Sequence, residues 1–488
     1  MVIESLKYKI LQQFGFAPTQ EQGQALDTFV SFLTDRDPQA VMILRGSAGT
    51  GKTSLSGAIV RTLLQIRQKV MLLAPTGRAA KVFSLGSGAP AYTIHRRIYR
   101  EKAFAGVDDQ FSLNDNLYTD TLFMVDEASM IANMGLGGTT FGSGCLLDDL
   151  VKFVYQGHND RLLLIGDKAQ LPPVGEEESP ALSASVMEGY GLKVYECDLN
   201  EVLRQSQSSG ILYNATLIRQ MITHDAVTGL PLIRFKGFAD IVMMPGAELV
   251  ESLGDSYHHV GMDETMVITR SNKRANIYNN GIRNMVLDRE EELSSGDMLM
   301  IVKNNYFWTE KEKKESGEGS AGAVPAFLAN GDRAKVLRVS NYIELYGFRF
   351  ATLLLQLPDY DDYEMQVTGM LDTLQSEAPA LTHEQQEELF RQVEEDYQHF
   401  VPLKADRMKS IRQDAYFNAL QIKYAYAVTC HKAQGGQWAH VYVDQGYMTD
   451  DMLTPDYIHW LYTAFTRATD KLFLVNWPKE QTCEPTDL

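Results

Sequence analysis

Short apolar runs, each closed by small or charged residues, mark the first part of the chain. Val41-Met-Ile-Leu-Arg45, Val70-Met-Leu-Leu-Ala74, Thr121-Leu-Phe-Met-Val125 and Arg161-Leu-Leu-Leu-Ile165 have the length and bounds of buried parallel strands. From Thr53 onward the apolar positions shift to near-helical spacing, which predicts a helix directly after the first strand. Strands separated by helical segments imply a doubly wound parallel sheet, with ligand-bearing residues gathered at the strands' carboxyl ends.

The runs end in residues that carry chemistry. Gly46-Ser47-Ala48-Gly49-Thr50-Gly51-Lys52-Thr53 is a phosphate-binding loop: glycines turn the backbone so that its N–H groups face a β-phosphate. Lys52 is expected to reach the β- and γ-phosphates, and Thr53 to offer its hydroxyl to Mg²⁺. The third run ends in Asp126-Glu127, with Asp126 expected to hold the metal and Glu127 to orient or deprotonate the attacking water. The fourth leads into Gly166-Asp167-Lys168-Ala-Gln170, where Gln170 is an uncharged donor and acceptor suited to sensing a γ-phosphate. ATP and Mg²⁺ are the cofactors this predicts.

In this order the motifs resemble those of superfamily 1 helicases, and more closely the class B branch with its RecD-like and Dda-like members. Pro18-Thr-Gln-Glu-Gln22 is similar to an adenine-reading Q motif, with Gln22 the implied reader. Asp198-Leu-Asn-Glu-Val-Leu-Arg204-Gln is similar to motif IV, whose arginine approaches the γ-phosphate, and Tyr462-Thr-Ala-Phe-Thr-Arg467 to motif VI, with Arg467 as an arginine finger. The segment after Ala74 lacks the base-stacking aromatic of class A enzymes, and Gln170-Leu-Pro-Pro-Val lacks that class's aromatic ending. In the family these departures accompany 5′→3′ translocation on single-stranded DNA.

The resemblance implies two RecA-like parallel-sheet motor domains, a small hairpin (pin) insertion in the first and an SH3-like β-barrel insertion in the second. The expected bounds are 1–96 and 119–200 for the first motor domain, with 97–118 as the pin. The second is expected at 201–300 and 415–488, with the barrel and an acidic helical excursion at 301–414. The implied DNA track is Pro75, Thr76, Lys81, Thr93 and His95 on the first domain and Thr429, His431 and Lys432 on the second. Arg96, Arg97, Arg100 and Lys102, with Phe104, Phe111 and Tyr118, are the basic and aromatic positions of the pin segment.

Composition constrains the picture further. With 488 residues, 44% hydrophobic and 10% aromatic, the chain suits several globular domains. Cys145, Cys197, Cys430 and Cys483 are scattered without metal spacing, and no apolar run approaches ~18 residues, so a cytoplasmic protein without membrane span or secretory leader is expected. The balance of 45 Lys and Arg against 63 Asp and Glu, a net −18, is unusual for a DNA-binding protein and implies a cationic channel within an acidic exterior. That exterior is a candidate surface for protein partners of a monomeric motor.

Gly135–Gly144 is expected to be a surface loop and Glu310–Gly322 a charged excursion of the barrel. Thr382-His-Glu-Gln385 has the form of a capping box opening a helix that packs through Leu389, Phe390 and Val393. The leading reading is an ATP-dependent 5′→3′ DNA helicase of the kind used in DNA repair and recombination. Its single-stranded DNA partner would include single/double-strand junctions. A translocase that strips proteins without unwinding, an RNA-directed motor, and a nucleotide kinase or switch are the alternatives; the last leaves the motifs around His431 and Arg467 unexplained.

Overall fold

The first apolar run sits at the heart of a parallel sheet, where every residue of β1 (Ala40–Gly46) is buried. Chain order continues with β2 (Lys69–Ala74), β3 (Ala91–Thr93), β4 (Tyr99–Phe104), β5 (Asp109–Leu113), β6 (Thr121–Val125), β7 (Arg161–Gly166), β8 (Lys193–Leu199) and β9 (Ile241–Met244). Six of these form one sheet in the order β3-β2-β6-β7-β1-β8, while β4 and β5 make a separate two-stranded hairpin. This computed structural model describes residues 2–104, 109–135, 142–201, 208–223, 229–316, 324–325 and 327–483, the side chains of residues 2–4, 101–104, 109–110 and 450 excepted.

The chain divides into two compact units. One comprises Met1–Arg100, Ser112–Met244 and Ala433–Leu488, and the other Glu101–Phe111 and Pro245–Lys432. In the first, β1 runs parallel to β7, with Val41 opposite Leu162, and to β8, with Arg45 opposite Asp198. Leu26, Phe29, Phe32, Met42, Leu63 and Met124 belong to its main core. Arg45, 8% exposed, ties the edge strand: Nε donates to Asp198 Oδ1 at 2.6 Å and Nη2 to Glu196 Oε2 at 2.8 Å. Those two carboxylates raise its pKa further.

In the second unit, β10 (Thr265–Thr269) is followed by β11 (Met298–Ile301), β12 (Arg333–Leu345), β13 (Phe348–Leu357), β14 (Tyr363–Met370), β15 (Leu420–Tyr424) and β16 (Ala427–Thr429). Strands β11 to β15 close into a barrel, antiparallel except for the β14–β15 pair. Its last strand lies beyond residue 414, because the acidic excursion is inserted between β14 and β15 rather than after the barrel. Strand β16 runs parallel to β10, placing Thr429 opposite Thr269. The chain then returns to the first unit as β17 (Trp438–Asp444) and β18 (Ala468–Val475), which pair with each other and with β9, all parallel. The described strands thus combine parallel sheet pairing with a closed five-stranded barrel.

The excursion is a helical layer on the barrel. Thr382 and Gln385 form the expected reciprocal cap at the start of helix His383–Gln398. Leu389 and Val393 are buried against Phe350, Met370 and Ile411, and Phe390 packs beside them. Within the barrel, Asp332 is almost fully buried. Its Oδ2 accepts from the Tyr360 hydroxyl at 2.6 Å and the Ala329 N–H at 2.7 Å, whereas Oδ1 has no hydrogen-bond partner among the described residues. Desolvation pushes its carboxyl up to about 7. The hairpin has an aromatic brace in the same unit: Phe111 lies 4.7 Å from Tyr306, which stacks on Phe327 at 4.7 Å.

Candidate active site

Parallel pairing brings the motifs to one edge. The loop after β1, Asp126-Glu127 after β6, Gly166–Gln170 after β7 and Pro75-Thr76 after β2 all leave the sheet at strand carboxyl ends. The loop's glycines are required for different reasons. Gly49 and Gly51 have φ of +77° and +80°, a region that disfavours side chains. At Gly46 a Cβ would fall 2.8 Å from Lys52 Cγ. Gly51 caps helix Lys52–Gln65, so the loop delivers its N–H groups and a helix N-terminus to the same place.

The Lys52 ammonium donates to the carbonyl oxygens of Gly46 and, at 3.0 Å, Ser47. Thr50 Oγ1 also donates to Ser47 O, at 2.8 Å. Gln22, the implied adenine reader, is buried: its Nε2 donates to Thr50 O at 2.9 Å and its Oε1 accepts from Thr19 N at 3.0 Å. Its carboxamide thereby links the capped helix Gln20–Leu33 to the phosphate loop.

Asp126 Oδ1 accepts from the Glu127 N–H at 2.9 Å. Desolvation and then the Glu127 charge raise the Asp126 pKa well above the usual carboxylate range, while Lys52 pulls the other way. Such a carboxylate favours a nearby cation, and carboxylate and hydroxyl oxygens such as those of Asp126 and Thr53 are donors of the kind that suit Mg²⁺. Glu127 has φ +52° and ψ +38°, a left-handed backbone held at a charged, β-carbon-bearing residue. Gln170 is 6% exposed, and its Oε1 is buried without a hydrogen-bond partner among the described residues. That orphaned acceptor is placed for a water or a protonated group at the edge of the sheet.

Helix Pro455–Phe465 is stitched to these loops. The Tyr462 hydroxyl donates to Asp167 Oδ2 at 2.6 Å and accepts from Ala48 N at 3.0 Å. Leu171 N donates to Thr463 Oγ1 at 2.8 Å, and Gln434 Nε2 donates to Leu171 O at 2.7 Å. Burial and Asp167 raise the Tyr462 pKa, which keeps its hydroxyl a donor. Arg467, the implied finger, is 2% exposed and faces its own helix end. Nε donates to Thr463 O at 3.1 Å, Nη1 to Gly436 O at 3.1 Å and Nη2 to Thr466 Oγ1 at 3.2 Å. Arg204 lies outside the described residues.

Sequence reasoning did not single out Arg219. It sits on helix Gly210–Thr223, with Nη1 2.6 Å from Ser47 Oγ and 3.2 Å from Asn200 Oδ1. No loop or strand-end signal marks it; only the fold brings it to the phosphate loop.

Several implied DNA-track residues stand at helix starts. Thr76 Oγ1 caps helix Gly77–Ser87 by accepting from Ala79 N at 3.2 Å, and Thr93 Oγ1 accepts from Arg96 N at 3.4 Å. Lys81 lies on the first of these helices. His95 lies 5.7 Å from the Tyr99 ring, and desolvation lowers its pKa to about 4, so it is a neutral imidazole at neutral pH. In the second unit, Thr429 ends β16, His431 is exposed, and the Lys432 ammonium donates to Asn330 Oδ1. Burial lowers the Lys432 pKa to about 8. Among the described residues no group of three or more His, Cys, Asp or Glu is arranged to hold a metal, and no helix is long and apolar enough to cross a membrane.

Together the fold and the loop edge define a phosphate-loop nucleotide site at the carboxyl ends of a parallel sheet. Residues 17–229 match the AAA domain family and residues 424–475 the UvrD-like helicase C-terminal domain. The chain is 30% identical to the ATP-dependent RecD2 DNA helicase of Deinococcus radiodurans over 157 residues, 32% of this chain and 18% of that one. It is 26% identical to the ATP-dependent DNA helicase dda of Enterobacteria phage T4 over 271 residues, 53% of this chain and 55% of that one. The chain therefore spans about half or less of the length of these relatives. A Bacteroides Pif1 helicase, solved with ADP-AlF3 and single-stranded DNA, is similar with a TM-score of 0.46 and 14% identity, covering 96% of this chain and 95% of that one. The two family matches thus place an AAA domain and a UvrD-like helicase C-terminal domain in one chain.

Proposed function

We propose that the protein is an ATP-dependent DNA helicase that translocates 5′→3′ along single-stranded DNA and opens duplex at junctions. The observation that carries this reading is the Tyr462 hydroxyl shared between Asp167 and the Ala48 N–H. A helix from the chain's last motif is anchored to both the phosphate loop and the loop after β7. Changes at the phosphates can thereby reach the helix that carries the chain's last motif, as a motor requires.

In this reading Lys52 and the loop N–H groups bind the β- and γ-phosphates, and Thr53 with Asp126 would hold Mg²⁺, which neutralises phosphate charge when bound. Glu127 orients the attacking water and accepts its proton, with Gln170 positioned by its buried orphan acceptor beside it. Gln22 fixes the loop from behind and, with Gly46 to Gly51, shapes the nucleotide pocket. Arg204 and Arg467 stabilise γ-phosphoryl charge, Arg467 after release from its helix end. Pro75, Thr76, Lys81, Thr93 and His95 would contact the strand in the first motor domain, and Thr429, His431 and Lys432 in the second. The proposed first motor domain is 1–96 and 119–200 around the pin at 97–118. The expected bounds of the second, 201–300 and 415–488, give way to 201–297 and 425–488 in this proposal, because β11 and β15 belong to the barrel. The protein would act as a monomer in the cytoplasm, with its acidic exterior open to protein partners.

The test pairs DNA-stimulated ATPase with strand displacement on duplexes carrying one 5′ or one 3′ single-stranded tail. Displacement from the 5′ tail alone supports the proposal, and displacement from the 3′ tail alone overturns its polarity. Translocation without displacement on either tail assigns the protein to the protein-stripping class instead. RNA-stimulated ATPase exceeding that with DNA moves it to RNA.

A further inference from the structure

We propose that Arg219 is a further catalytic cation, placed to contact the γ-phosphoryl group. This inference rests on the ATPase reading. Ser47 is bracketed by two cationic side chains: its carbonyl accepts from Lys52 Nζ at 3.0 Å and its hydroxyl lies 2.6 Å from Arg219 Nη1. The lysine of such a loop serves the β- and γ-phosphates, so the Gly46–Ser47 carbonyls it touches mark the γ end of the site. Arg219 therefore stands where charge develops as the terminal phosphoryl group is transferred.

Other features support the assignment. Arg219 acts on the charge of Tyr462, whose hydroxyl accepts the Ala48 N–H, lowering its pKa against the larger effects of burial and Asp167. Two contacts of Arg219, the Ser47 hydroxyl and the Asn200 amide oxygen, are neutral acceptors. An anionic phosphate oxygen is a stronger acceptor than either, and a guanidinium fork can meet two such oxygens at once. Arg467, by contrast, has its guanidinium engaged by the carbonyls of Thr463 and Gly436 and the Thr466 hydroxyl. Arg219 also rides on a different element, helix Gly210–Thr223, whose position would then report whether a terminal phosphate is present.

The test compares Arg219→Ala and Arg219→Lys with the unmodified chain, measuring DNA-stimulated kcat, affinity for ADP, and affinity for ADP with aluminium fluoride. For Arg219→Ala the expected result is a kcat loss of about 10²–10³-fold, selective loss of aluminium fluoride affinity, and ADP affinity within about threefold. Arg219→Lys should recover part of the rate, because charge returns without the fork. Unchanged kcat in Arg219→Ala overturns the proposal. Parallel loss of ADP and aluminium fluoride affinity also overturns it, since that pattern marks a structural support of the loop. Lys52→Ala separates this inference from its basis: if that variant keeps full ATPase, the nucleotide site itself has been misread, whatever Arg219 does.

Discussion

The hydroxyl of Tyr462 is 2.6 Å from Asp167 Oδ2, a contact between residues 295 positions apart. The same oxygen accepts the Ala48 N–H, so its removal leaves a buried carboxylate oxygen and a phosphate-loop donor without this partner. Tyr462→Phe is expected to lower DNA-stimulated kcat by about 10–100-fold, equivalent to about 1.4–2.7 kcal/mol, with ADP affinity nearly unchanged. Steady-state ATPase with and without single-stranded DNA checks this; a change in ADP affinity alone would contradict it.

Glu127→Gln keeps size and hydrogen bonding but removes the basic carboxylate. Hydrolysis should fall by about 10²–10⁴-fold while nucleotide binding persists. Single-turnover hydrolysis beside equilibrium nucleotide binding separates the two, and an unchanged turnover rate would exclude Glu127 as the base.

Arg45 holds β8 to β1 through Asp198 and Glu196, with its own side chain 9% exposed and the carboxylates about half exposed. Because solvent screens the partners, Arg45→Ala should cost about 2–3 kcal/mol rather than the full penalty of a wholly buried pair. The midpoint of the first thermal unfolding transition should drop, and nucleotide affinity with it, since the phosphate loop begins at the next residue.

The Asp332 carboxyl is raised from an ordinary 3.8 to about 7 by burial. In the folded barrel it retains a proton that the unfolded chain releases, so its contribution is full below about pH 4 and is lost as pH rises to about 7. Asp332→Asn should therefore match the parent near pH 4 and exceed it above pH 7, by on the order of 2 kcal/mol. Unfolding midpoints of both proteins across that range give the answer, and parallel curves would show that Asp332 does not titrate there.

Phe111 rests on Tyr306, itself stacked on Phe327. If this brace stiffens the hairpin against a fork, Phe111→Ala should reduce strand displacement about tenfold while single-strand-stimulated ATPase changes little. Equal losses in both assays would instead indicate a general packing defect.

The parts of the fold legible in the sequence are those whose signal is local. Val41–Arg45 falls inside β1, and Thr121–Val125 and Arg161–Ile165 coincide with or fall inside β6 and β7, because short apolar runs closed by loop residues admit few other structures. The cap at Thr382 and the stripe through Leu389 and Val393 follow from spacing along one helix. Features that depend on partners far along the chain leave no such local mark. Gln22 bonds Thr50 across 28 positions and Arg219 bonds Ser47 across 172, and neither side chain advertises its destination. Arg467 shows the same limit, since a motif supplies the residue type but not the rotamer that turns it toward Thr463 and Gly436.

At Glu127 the left-handed backbone sets comfort against chemistry. Glycine would occupy that conformation without steric penalty, so Glu127→Gly should relax the local chain by up to about 1 kcal/mol while deleting the proposed proton acceptor. The position thus gives up ease of folding for reactivity, and a hardier protein made by that single exchange would be an engine that cannot fire.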